Sequence, residues 1–300
     1  MNGYLPINKP SGMTSHDVVM RIRRTAETKK VGHTGTLDPM AEGLMLICIG
    51  KCTKASSYIT AFDKGYIARA KLGMTSDTYD ITGEISNTPD FNINNFSKDK
   101  ISDALLSFIG VQEQYPPMYS AKKVDGKKLY ELAREGKTAD IKPCEIEIYD
   151  IKILNIENDE IEFYAHCSKG TYIRSLIHDF GAKLGCGALM SYLKRTETNG
   201  FSLDNDNILP LDAFSNKETI KNALLPPDSI FGIYRKIILR PICERFFKNG
   251  IPINLIRAGI NEKFENGEYV RIYNESGDFL ALCSIYDDVF LKLMITFFDN

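Results

Sequence analysis

The sequence predicts an α+β fold with a mixed, largely antiparallel central sheet flanked by helices. Segments with strand-like alternation and segments with helical periodicity are mixed along the 300 residues, without the regular βαβ order of a parallel sheet. The apolar share of 43 % is ordinary for a globular chain and sufficient for a core. A loosely patterned stretch over residues 204–235 precedes a run of short strand-like segments. We therefore expect two domains, residues 1–235 and residues 236–300.

Helices are expected where an apolar stripe lies between a capping residue and a stop signal. Ser15 is expected to cap a helix over roughly residues 16–27, and residues 99–110 predict a helix that stops at Gly110. Residues 129–136, LYELAREG, predict a further helix with a glycine stop. The remaining helical segments are KCTKASSYIT and TYIRSLIHDFGAKLG.

Strands are expected where apolar and polar residues alternate, or where a short apolar run lies between turns. CEIEIYDIKILNIENDEIEFYAHCS predicts a hairpin of two adjacent strands around a polar turn, and ALMSYLKRTETNGFSL predicts a strand that runs into a turn. The other strand-like segments, in chain order, are GYLPIN, LMLICIG, KGYIARAKLGM, EYVRIYN, FLALCSI and VFLKLMITFF.

Composition argues against several classes of protein. No apolar run approaches the roughly 20 residues that are needed to cross a bilayer, and the first residues lack the basic and apolar regions of a secretory signal. The seven cysteines are scattered without paired spacing, which favours reduced thiols and a cytoplasmic location. The sequence shows no long amphipathic seam and no internal repeat, so we expect a monomer.

The net charge of −2 gives no indication of RNA binding, so only local clusters of basic residues can indicate it. Two segments, RIRRTAETKK (21–30) and KKVDGKK (122–128), are basic and lie beside loops rich in glycine, tyrosine and proline. Such runs are commonly solvated faces of a protein. The alternative is a groove that binds phosphates. The pattern alone leaves both interpretations open.

The motifs of the commoner cofactor and metal sites are absent from the sequence. It contains neither G-x-x-x-x-G-K-[ST] nor G-x-G-x-x-G. The four histidines do not follow metal-binding spacings, and Cys48 and Cys52 lack a second pair for zinc. The G-x-S-x-G elbow of hydrolases and the signature of zinc deaminases are also missing. We therefore expect neither a metal nor a nucleotide or other cofactor.

The loop GHTGTLDP combines features that suit an active site. Gly32 and Gly35 permit tight turns and a close approach of a ligand. Pro39 disfavours helical geometry at Asp38 and pushes it toward an extended conformation. A carboxylate held on such a loop can act as a nucleophile or a base if a nearby cation keeps it ionised. From spacing alone, an ordinary surface turn and an active-site loop both remain open.

Several segments resemble, in the expected order, the motifs of bacterial tRNA pseudouridine-55 synthases. GHTGTLDP, followed closely by AEGLMLICIGKCTK, resembles the catalytic motif of that family. The resemblance spans roughly residues 3–203, and it favours the active-site interpretation of Asp38. The other matching segments are INKPSGMTS, KGYIARAKLG, PMYSAKK, GKKLYELAREG, CSKGTYIR and YLKR.

The resemblance implies the pseudouridine synthase fold and the isomerisation of uridine 55 in the T loop of tRNA to pseudouridine. This reaction breaks the bond from ribose to N1 of uracil and rejoins the base through C5, so it requires no redox partner or energy source. The target base is stacked inside the folded RNA and has to be flipped out. RFFKNG (245–250) and the strands after it look like the small, β-barrel-like and PUA-like RNA-binding domain of the family.

The resemblance also implies a catalytic set of Asp38, Tyr66 and Arg174, which are expected to meet in the fold. Asp38 would either add covalently to the substrate or remove a proton from the ribose, and the sequence leaves both roles open. Arg174 would pair with Asp38 and keep it charged and oriented. Tyr66 would stack on the target base and take part in the proton transfer at C5.

Further positions match residues that bind the substrate or support the site in the family. Tyr172 and Leu193 are expected to line the uracil pocket, with plain core packing as the alternative for both. Lys9 is expected to lie beneath the active-site loop in a supporting role. His33 is expected to stack in the place vacated by the flipped base or to disrupt a neighbouring pair.

The middle motif departs from the family, because Lys122 is charged where the family usually has an apolar residue. Register favours Lys123 as the equivalent of the family's lysine, and the sequence leaves open whether Lys122 or Lys123 contacts RNA. Two rival functions remain, a tRNA-binding or folding module without essential catalysis, and a related synthase that acts on another RNA position. The intact set of Asp38, Tyr66 and Arg174 argues against the first rival.

Overall fold

The computed structural model of the protein describes residues 1–59, 62–120, 122–124, 126–136, 140–204 and 208–298. None of the helices in these ranges is long and apolar enough to span a membrane. The helices are α1 (Ser15–Thr25), α2 (Ser56–Ile59), α3 (Lys98–Leu106), α4 (Leu129–Arg134), α5 (Ile173–Leu184), α6 (Lys217–Ala223) and α7 (Pro241–Lys248). Short 3-10 helices occupy Gly50–Ala55, Ile93–Asn95, Leu211–Ala213 and Ser229–Phe231.

The strands are distributed between a large sheet and smaller ones. They are β1 (Gly3–Lys9), β2 (Val31–His33), β3 (Glu42–Ile49), β4 (Lys64–Leu72), β5 (Met74–Ser76), β6 (Ile85–Asn87), β7 (Gly110–Gln114), β8 (Lys123–Val124), β9 (Lys127–Lys128), β10 (Cys144–Glu157), β11 (Glu160–Cys167), β12 (Ala188–Thr198), β13 (Phe201–Ser202), β14 (Leu209–Pro210), β15 (Arg235–Leu239), β16 (Tyr269–Asn274), β17 (Phe279–Tyr286) and β18 (Phe290–Thr296).

The central sheet confirms the predicted α+β class. Its ten strands follow the order β14-β1-β3-β12-β4-β11-β10-β7, with β13 beside β12 and β2 beside β3. The pairings β1–β14 and β12–β3 are parallel, and the other pairings described for this sheet are antiparallel. The predicted hairpin is also confirmed, because β10 and β11 pair antiparallel around a tight turn at Asn158 and Asp159.

Helix α1 is present, but its predicted N-cap is wrong. Thr14 caps the helix, since its hydroxyl accepts from the backbone N–H of Asp17 and the Asp17 carboxylate accepts from the backbone N–H of Thr14. This reciprocal pair is a capping box. Ser15 lies inside the first turn, where it is buried. Its hydroxyl contacts the backbone of Leu37 instead.

Helix α3 ends earlier than predicted. Ser97 caps its start, and the helix stops at Leu106 rather than continuing to Gly110. Gly110 instead opens β7, where it pairs with Ile148 of β10. Its φ of +114° is accessible to glycine and costly for other residues. The loosely patterned stretch before residue 235 also holds a short helix, α6, which begins with a capping box.

Helix α5 lies against the central sheet and brings its N-terminus to the candidate site. Its apolar residues Ile173, Leu176, Ile177 and Phe180 are buried in the main core. Gly181 permits this contact, because a Cβ there would lie 2.1 Å from the backbone N of Ala188 at the start of β12. The position of α5 over the sheet is therefore fixed by close backbone packing.

The chain after residue 234 forms a second sheet in the order β15-β16-β17-β18, with α7 beside it. RFFKNG, expected at the start of this unit, contributes the last turns of α7. The unit has an apolar cluster of its own, and a further cluster joins residues of β1 and β3 to residues of β17 and β18. All seven cysteines of the chain are free.

Candidate active site

The N-terminal segment INKPSGMTS forms a cradle under the loop that carries Asp38. Lys9 ends β1 and its side chain is fully buried (0 % exposed). Its Nζ donates to the carbonyl oxygens of Pro10 at 3.0 Å, Pro39 at 3.4 Å and Ala41 at 2.5 Å. The lysine therefore holds the backbone that follows Asp38 from beneath.

Two serines complete this cradle, and neither was predicted to take part in the site. Ser15 Oγ accepts from the backbone N–H of Leu37 at 2.8 Å and lies 3.0 Å from the Leu37 carbonyl oxygen. Ser11 Oγ donates to the Met40 carbonyl at 2.7 Å. The backbone on both sides of Asp38 is thus fixed by side chains from a different part of the chain.

Asp38 and Arg174 form a forked ion pair. Arg174 Nε lies 2.9 Å from Asp38 Oδ2, and Arg174 Nη2 donates to Asp38 Oδ1 at 3.1 Å. Arg174 lies in the first turn of α5, and its side chain is 6 % exposed, whereas that of Asp38 is 30 % exposed. A two-point contact of this kind fixes the orientation of the carboxylate and leaves part of it open to a ligand.

The electrostatic balance at Asp38 has two opposing parts. Burial raises the pKa of the Asp38 carboxyl, and the Arg174 guanidinium opposes this shift. Because arginine stays protonated in proteins and contacts both carboxylate oxygens, the geometry favours the ionised form of Asp38. The partial exposure of the carboxylate acts in the same direction, since water still reaches it.

Asp80 is a second carboxylate beside Arg174, and the sequence analysis missed it. Its Oδ2 lies 3.8 Å from Arg174 Nη1, and its side chain is 5 % exposed. Its Oδ1 accepts from the hydroxyl of Thr78 at 2.9 Å and from the backbone N–H and hydroxyl of Thr82 at 2.9 and 2.5 Å. Asp80 is therefore a fixed charge that shares Arg174 with Asp38, and it contributes to the raised pKa of Asp38.

The guanidinium of Arg174 is also held by backbone carbonyls. Nη1 donates to the Thr78 carbonyl at 3.1 Å, and Nη2 donates to the Tyr119 carbonyl at 3.0 Å. These contacts come from the loop before β6 and from the middle motif PMYSAKK. Arg174 therefore connects Asp38 to the middle motif, which the resemblance includes, and to the loop before β6, which it does not.

Tyr66 lies in β4 and is 7 % exposed. It was expected to meet Asp38 directly, but its cross-strand partner is Arg195 of β12, whose guanidinium lies close enough to its hydroxyl to act on it. Burial raises the pKa of Tyr66 to about 12, Arg195 opposes this shift, and Asp38 is close enough to reinforce it. Tyr66 is thus near Asp38 but is positioned by an arginine that the sequence analysis did not single out.

The two positions expected to line a base pocket lie on different elements. Leu193 belongs to β12, is 6 % exposed, and shares an apolar cluster with Tyr66 and Leu37. Tyr172 is the N-cap of α5, where its side chain makes no cap hydrogen bond. The buried side chain of Gln114 instead fixes the backbone of Tyr172, because it accepts from the Tyr172 N–H at 2.8 Å and donates to the Tyr172 carbonyl at 3.1 Å.

His33 ends β2 and is half-buried. Its Nδ1 is buried without a hydrogen-bond partner in the described part of the chain. Burial lowers the pKa of His33, and the nearby Arg195 lowers it further, so the ring is neutral at physiological pH. No hydrogen bond or ion pair that the structure describes joins His33 to Asp38.

The basic segments are partly used inside the fold. In the first segment, Arg21 forms an ion pair with Asp212 at 2.7 Å, and Arg23 donates to the Val31 carbonyl at 3.0 Å. The exposed cations of this segment are Arg24, Lys29 and Lys30. In the middle motif, Lys122 Nζ donates to the Lys142 carbonyl at 3.1 Å and lies 2.8 Å from Cys144 Sγ. The side chain of Lys123 lies outside the described part of the structure.

Within the described ranges, no group of three or more His, Cys, Asp or Glu side chains is arranged to hold a metal ion. What the site does provide is one oriented, ionised carboxylate on a rigid loop. Beside it lie a buried phenol and an apolar wall of Leu37 and Leu193. Such a set suits attack on a carbon centre, or removal of a proton from one, with water partly excluded.

Comparison with known proteins identifies the family. The model of the TruB family pseudouridylate synthase N-terminal domain matches residues 23–173, and that of the tRNA pseudouridylate synthase B C-terminal domain matches residues 174–232. The tRNA pseudouridine synthase B of Clostridioides difficile is 44 % identical over 286 residues, which cover 94 % of each chain. That of Clostridium acetobutylicum is 42 % identical over 98 % of this chain and 100 % of the relative.

This chain belongs to the TruB family of pseudouridylate synthases. It is therefore an enzyme of the isomerase class, as the resemblance in the sequence predicted. Solved structures of similar fold include a chain from an H/ACA RNP bound to a substrate RNA that contains 2′-deoxyuridine. That chain has a TM-score of 0.73 at 21 % identity and covers 99 % of this chain and 85 % of its own.

A chain of a Cbf5–Nop10–Gar1 complex has a TM-score of 0.71 at 24 % identity, covering 97 % of this chain and 83 % of its own. At such identities the likeness shows the fold alone. It establishes that this member of the TruB family shares the pseudouridine synthase architecture that the sequence predicted.

The TruB-type site also contains residues that the sequence analysis passed over. Ser11 and Ser15 lie inside a motif that was recognised, and the local spacing Thr14–Asp17 would have identified the true cap of α1. Asp80 lies in a polar turn, and Arg195 ends the recognised segment YLKR. Nothing local distinguishes either of them from a solvated residue, since their partners come from distant parts of the chain.

Proposed function

We propose that the protein isomerises uridine 55 in the T loop of tRNA to pseudouridine by an aspartate-dependent mechanism. Membership of the TruB family gives the isomerisation of uridine, and the names of the relatives support tRNA as the RNA substrate. The observation that carries the proposal is the forked contact between Asp38 and Arg174 at 2.9 and 3.1 Å. It presents one ionised carboxylate, partly exposed, at the centre of the motif that the family shares.

Asp38 is the proposed catalytic residue, and Arg174 keeps it ionised and oriented. The carboxylate faces the ribose of the target nucleotide and acts on it as a nucleophile or as a base. Lys9 supports the loop from beneath through the Pro39 and Ala41 carbonyls, so the carboxylate does not have to reorganise during the reaction.

Tyr66, Leu193 and Tyr172 are proposed to surround the uracil ring. Tyr66 supplies an aromatic surface and a phenol oxygen, and Leu193 supplies an apolar contact in the same cluster. An apolar wall holds the freed base without directional bonds. The base can therefore rotate until C5 instead of N1 faces the ribose, at a small cost in free energy. Tyr172 is half-buried at the N-terminus of α5, two residues before Arg174.

His33 is proposed to act in base flipping. Its imidazole is neutral, because burial and Arg195 both lower its pKa, and a neutral ring stacks in an RNA loop without desolvating a charge. We expect His33→Ala to reduce the rate on folded tRNA more than the rate on an isolated, less stacked T loop. The two rates are compared in single-turnover assays, and equal losses on both substrates would contradict a flipping role.

RNA binding is proposed for the exposed cations Arg24, Lys29 and Lys30, for Lys123, and for the C-terminal unit over residues 236–300. These contacts would hold phosphates of the T stem and position the RNA without selecting its sequence. The division of the chain into a catalytic domain over residues 1–235 and this RNA-binding domain forms part of the proposal. Lys123→Ala should weaken binding and make its salt dependence shallower, as measured by filter binding at several salt concentrations.

The decisive experiment measures tritium release from tRNA that carries [5-³H]uridine, for the wild type and for Asp38→Asn. Wild-type activity with complete loss in the variant supports the proposal. Equal activity of the two proteins would remove Asp38 from the mechanism. RNA binding without any release by the wild type would favour a tRNA-binding module.

The target position requires a second measurement, because tritium release does not locate the modified uridine. Pseudouridine is mapped in tRNA from a strain that lacks the gene, before and after complementation. Loss and recovery at position 55 are expected. A loss at any other position would overturn the assignment of the T loop.

A further inference from the structure

Arg195 is a buried cation whose partners in the described structure are uncharged. It is 2 % exposed, and it donates from Nε to the Leu44 carbonyl at 2.6 Å and from Nη2 to the Gly35 carbonyl at 3.2 Å. Its cross-strand neighbour is Tyr66, whose hydroxyl lies close enough to interact with the guanidinium. Among the ion pairs of the described residues, none joins a carboxylate to Arg195. Burying a guanidinium without a counter-charge is costly, so a neutral side chain of the same shape would serve packing alone better.

Among the neighbours of Arg195 that the structure describes, the phenol of Tyr66 is the one that can become an anion. Burial disfavours the phenolate and raises the pKa of Tyr66 to about 12, whereas Arg195 lowers it through its charge and its hydrogen bond. A guanidinium that donates to the phenol oxygen stabilises the phenolate more than the neutral phenol. When Tyr66 loses its proton, the resulting phenolate therefore becomes a counter-charge for Arg195.

We propose that Arg195 is a positioning residue that enables Tyr66 to accept the proton from C5 of the rearranged uracil. The inference rests on the proposed function and concerns only its last chemical step. Once the bond from C1′ to C5 has formed, C5 carries both the ribose and a hydrogen. The Tyr66 phenolate takes this proton, and the electrons of the C5–H bond restore the C5–C6 double bond. The negative charge moves to N1, which takes a proton from water, and the phenol returns its proton to solvent.

The same guanidinium links the phenol to the loop that carries Asp38. Gly35 lies in that loop, and a Cβ there would lie 3.3 Å from Arg195 Nη1, so the backbone approaches the arginine closely. Arg195 thereby fixes the distance between the residue that acts on the ribose and the residue that acts on C5. Lys9 is also fully buried beneath this loop, and the partners that the described residues offer it are backbone carbonyls, which cannot change charge.

The test compares two RNA substrates that differ only at C5 of the target base. Uridine must lose its C5 proton to complete the reaction, whereas 5-fluorouridine has no proton there and can proceed only as far as the bond from C1′ to C5. For Arg195→Met, we expect the single-turnover rate on uridine RNA to fall by about 100-fold. Consumption of 5-fluorouridine should change by less than about threefold, because it never requires the phenolate.

Tyr66→Phe keeps the ring and leaves the backbone contacts of Arg195 in place, so it should show the same selective loss on uridine. Lys194→Met is the matched control, since it removes a cation from the opposite face of the same strand. This variant should process both substrates like the wild type. A thermal melt of each variant shows whether it is folded, and Arg195→Lys replaces Arg195→Met if the latter is not.

An isotope effect gives an independent readout. With [5-²H]uridine at the target position, the ratio of rates for hydrogen and deuterium should be larger in Arg195→Lys than in the wild type, because proton removal becomes slower relative to the earlier steps. Equal losses on uridine and 5-fluorouridine, with an unchanged isotope effect, would show a structural role only and overturn the inference. Failure of the wild type to consume either substrate would instead overturn the proposed function.

Discussion

Asp80→Asn tests the electrostatic arrangement around Arg174 most directly. The substitution keeps the shape of the side chain, and its Oδ1 can still accept from the Thr78 and Thr82 donors. It removes the charge that faces Arg174 Nη1 at 3.8 Å and places an amide donor there if Oδ1 keeps its bonds. The guanidinium then loses one of the two carboxylates that hold it beside Asp38.

The size of the effect follows from the distance. Two unit charges about 4 Å apart interact by about 4 kcal/mol at an effective dielectric constant of about 20. If about half of this interaction energy no longer helps to orient Arg174 in the transition state, the barrier rises by about 2 kcal/mol. That corresponds to a fall in kcat of about 30-fold. The acid limb of the rate profile should move to lower pH, because Asp80 raises the pKa of Asp38 and this contribution disappears.

Single-turnover tritium release across a pH series measures both the rate of the reaction and the pH at which its acid limb falls. Asp77→Asn is the matched control, since Asp77 lies on the same hairpin, is exposed, and accepts only from the backbone N–H of Glu84 among the described contacts. The control should stay within about twofold of the wild type. An unchanged rate together with an unchanged acid limb in Asp80→Asn would refute the idea that two carboxylates share one guanidinium.

Three further predictions concern stability and follow from the packing. Gly43→Ala should reduce the free energy of unfolding by about 3 kcal/mol or more, because its φ is +108° and a Cβ would lie 2.3 Å from a backbone oxygen of β12. Gly110→Ala, also at positive φ but in open space, should cost only about 1–2 kcal/mol in the same urea titration. Lys9→Met should cost about 2–4 kcal/mol by urea titration, since buried carbonyls lose their donor, and a cost near zero would contradict the cradle. Burial lowers the pKa of His178, so the folded state favours the neutral ring and loses stability as pH falls below about 6.5. His178→Phe keeps a ring stacked on Tyr79, which lies 3.9 Å away, and should lose less stability than the wild type between about pH 7 and pH 5.

The sequence was most informative where the structure is local. Alternation along residues 144–167 predicts both strands of the β10–β11 hairpin, because side chains of adjacent strands face the core at a period of two. The helix stop at Gly136 was correctly expected, since its φ of +67° suits glycine. Where a local signal competed with tertiary pairing, prediction was less accurate, as at Gly110. That residue pairs with β10 instead of ending α3.

By itself, the sequence determined the class of fold, the family and the loop that holds Asp38. Those depend on periodicity and on residue types at short spacing. Only the tertiary structure decided which charges face one another. Asp80 and Arg195 carry no local sign of their role, because the free energy of a buried charge depends on the groups around it and on the exclusion of water. Those groups come from strands and loops far apart in the chain, and packing alone brings them together.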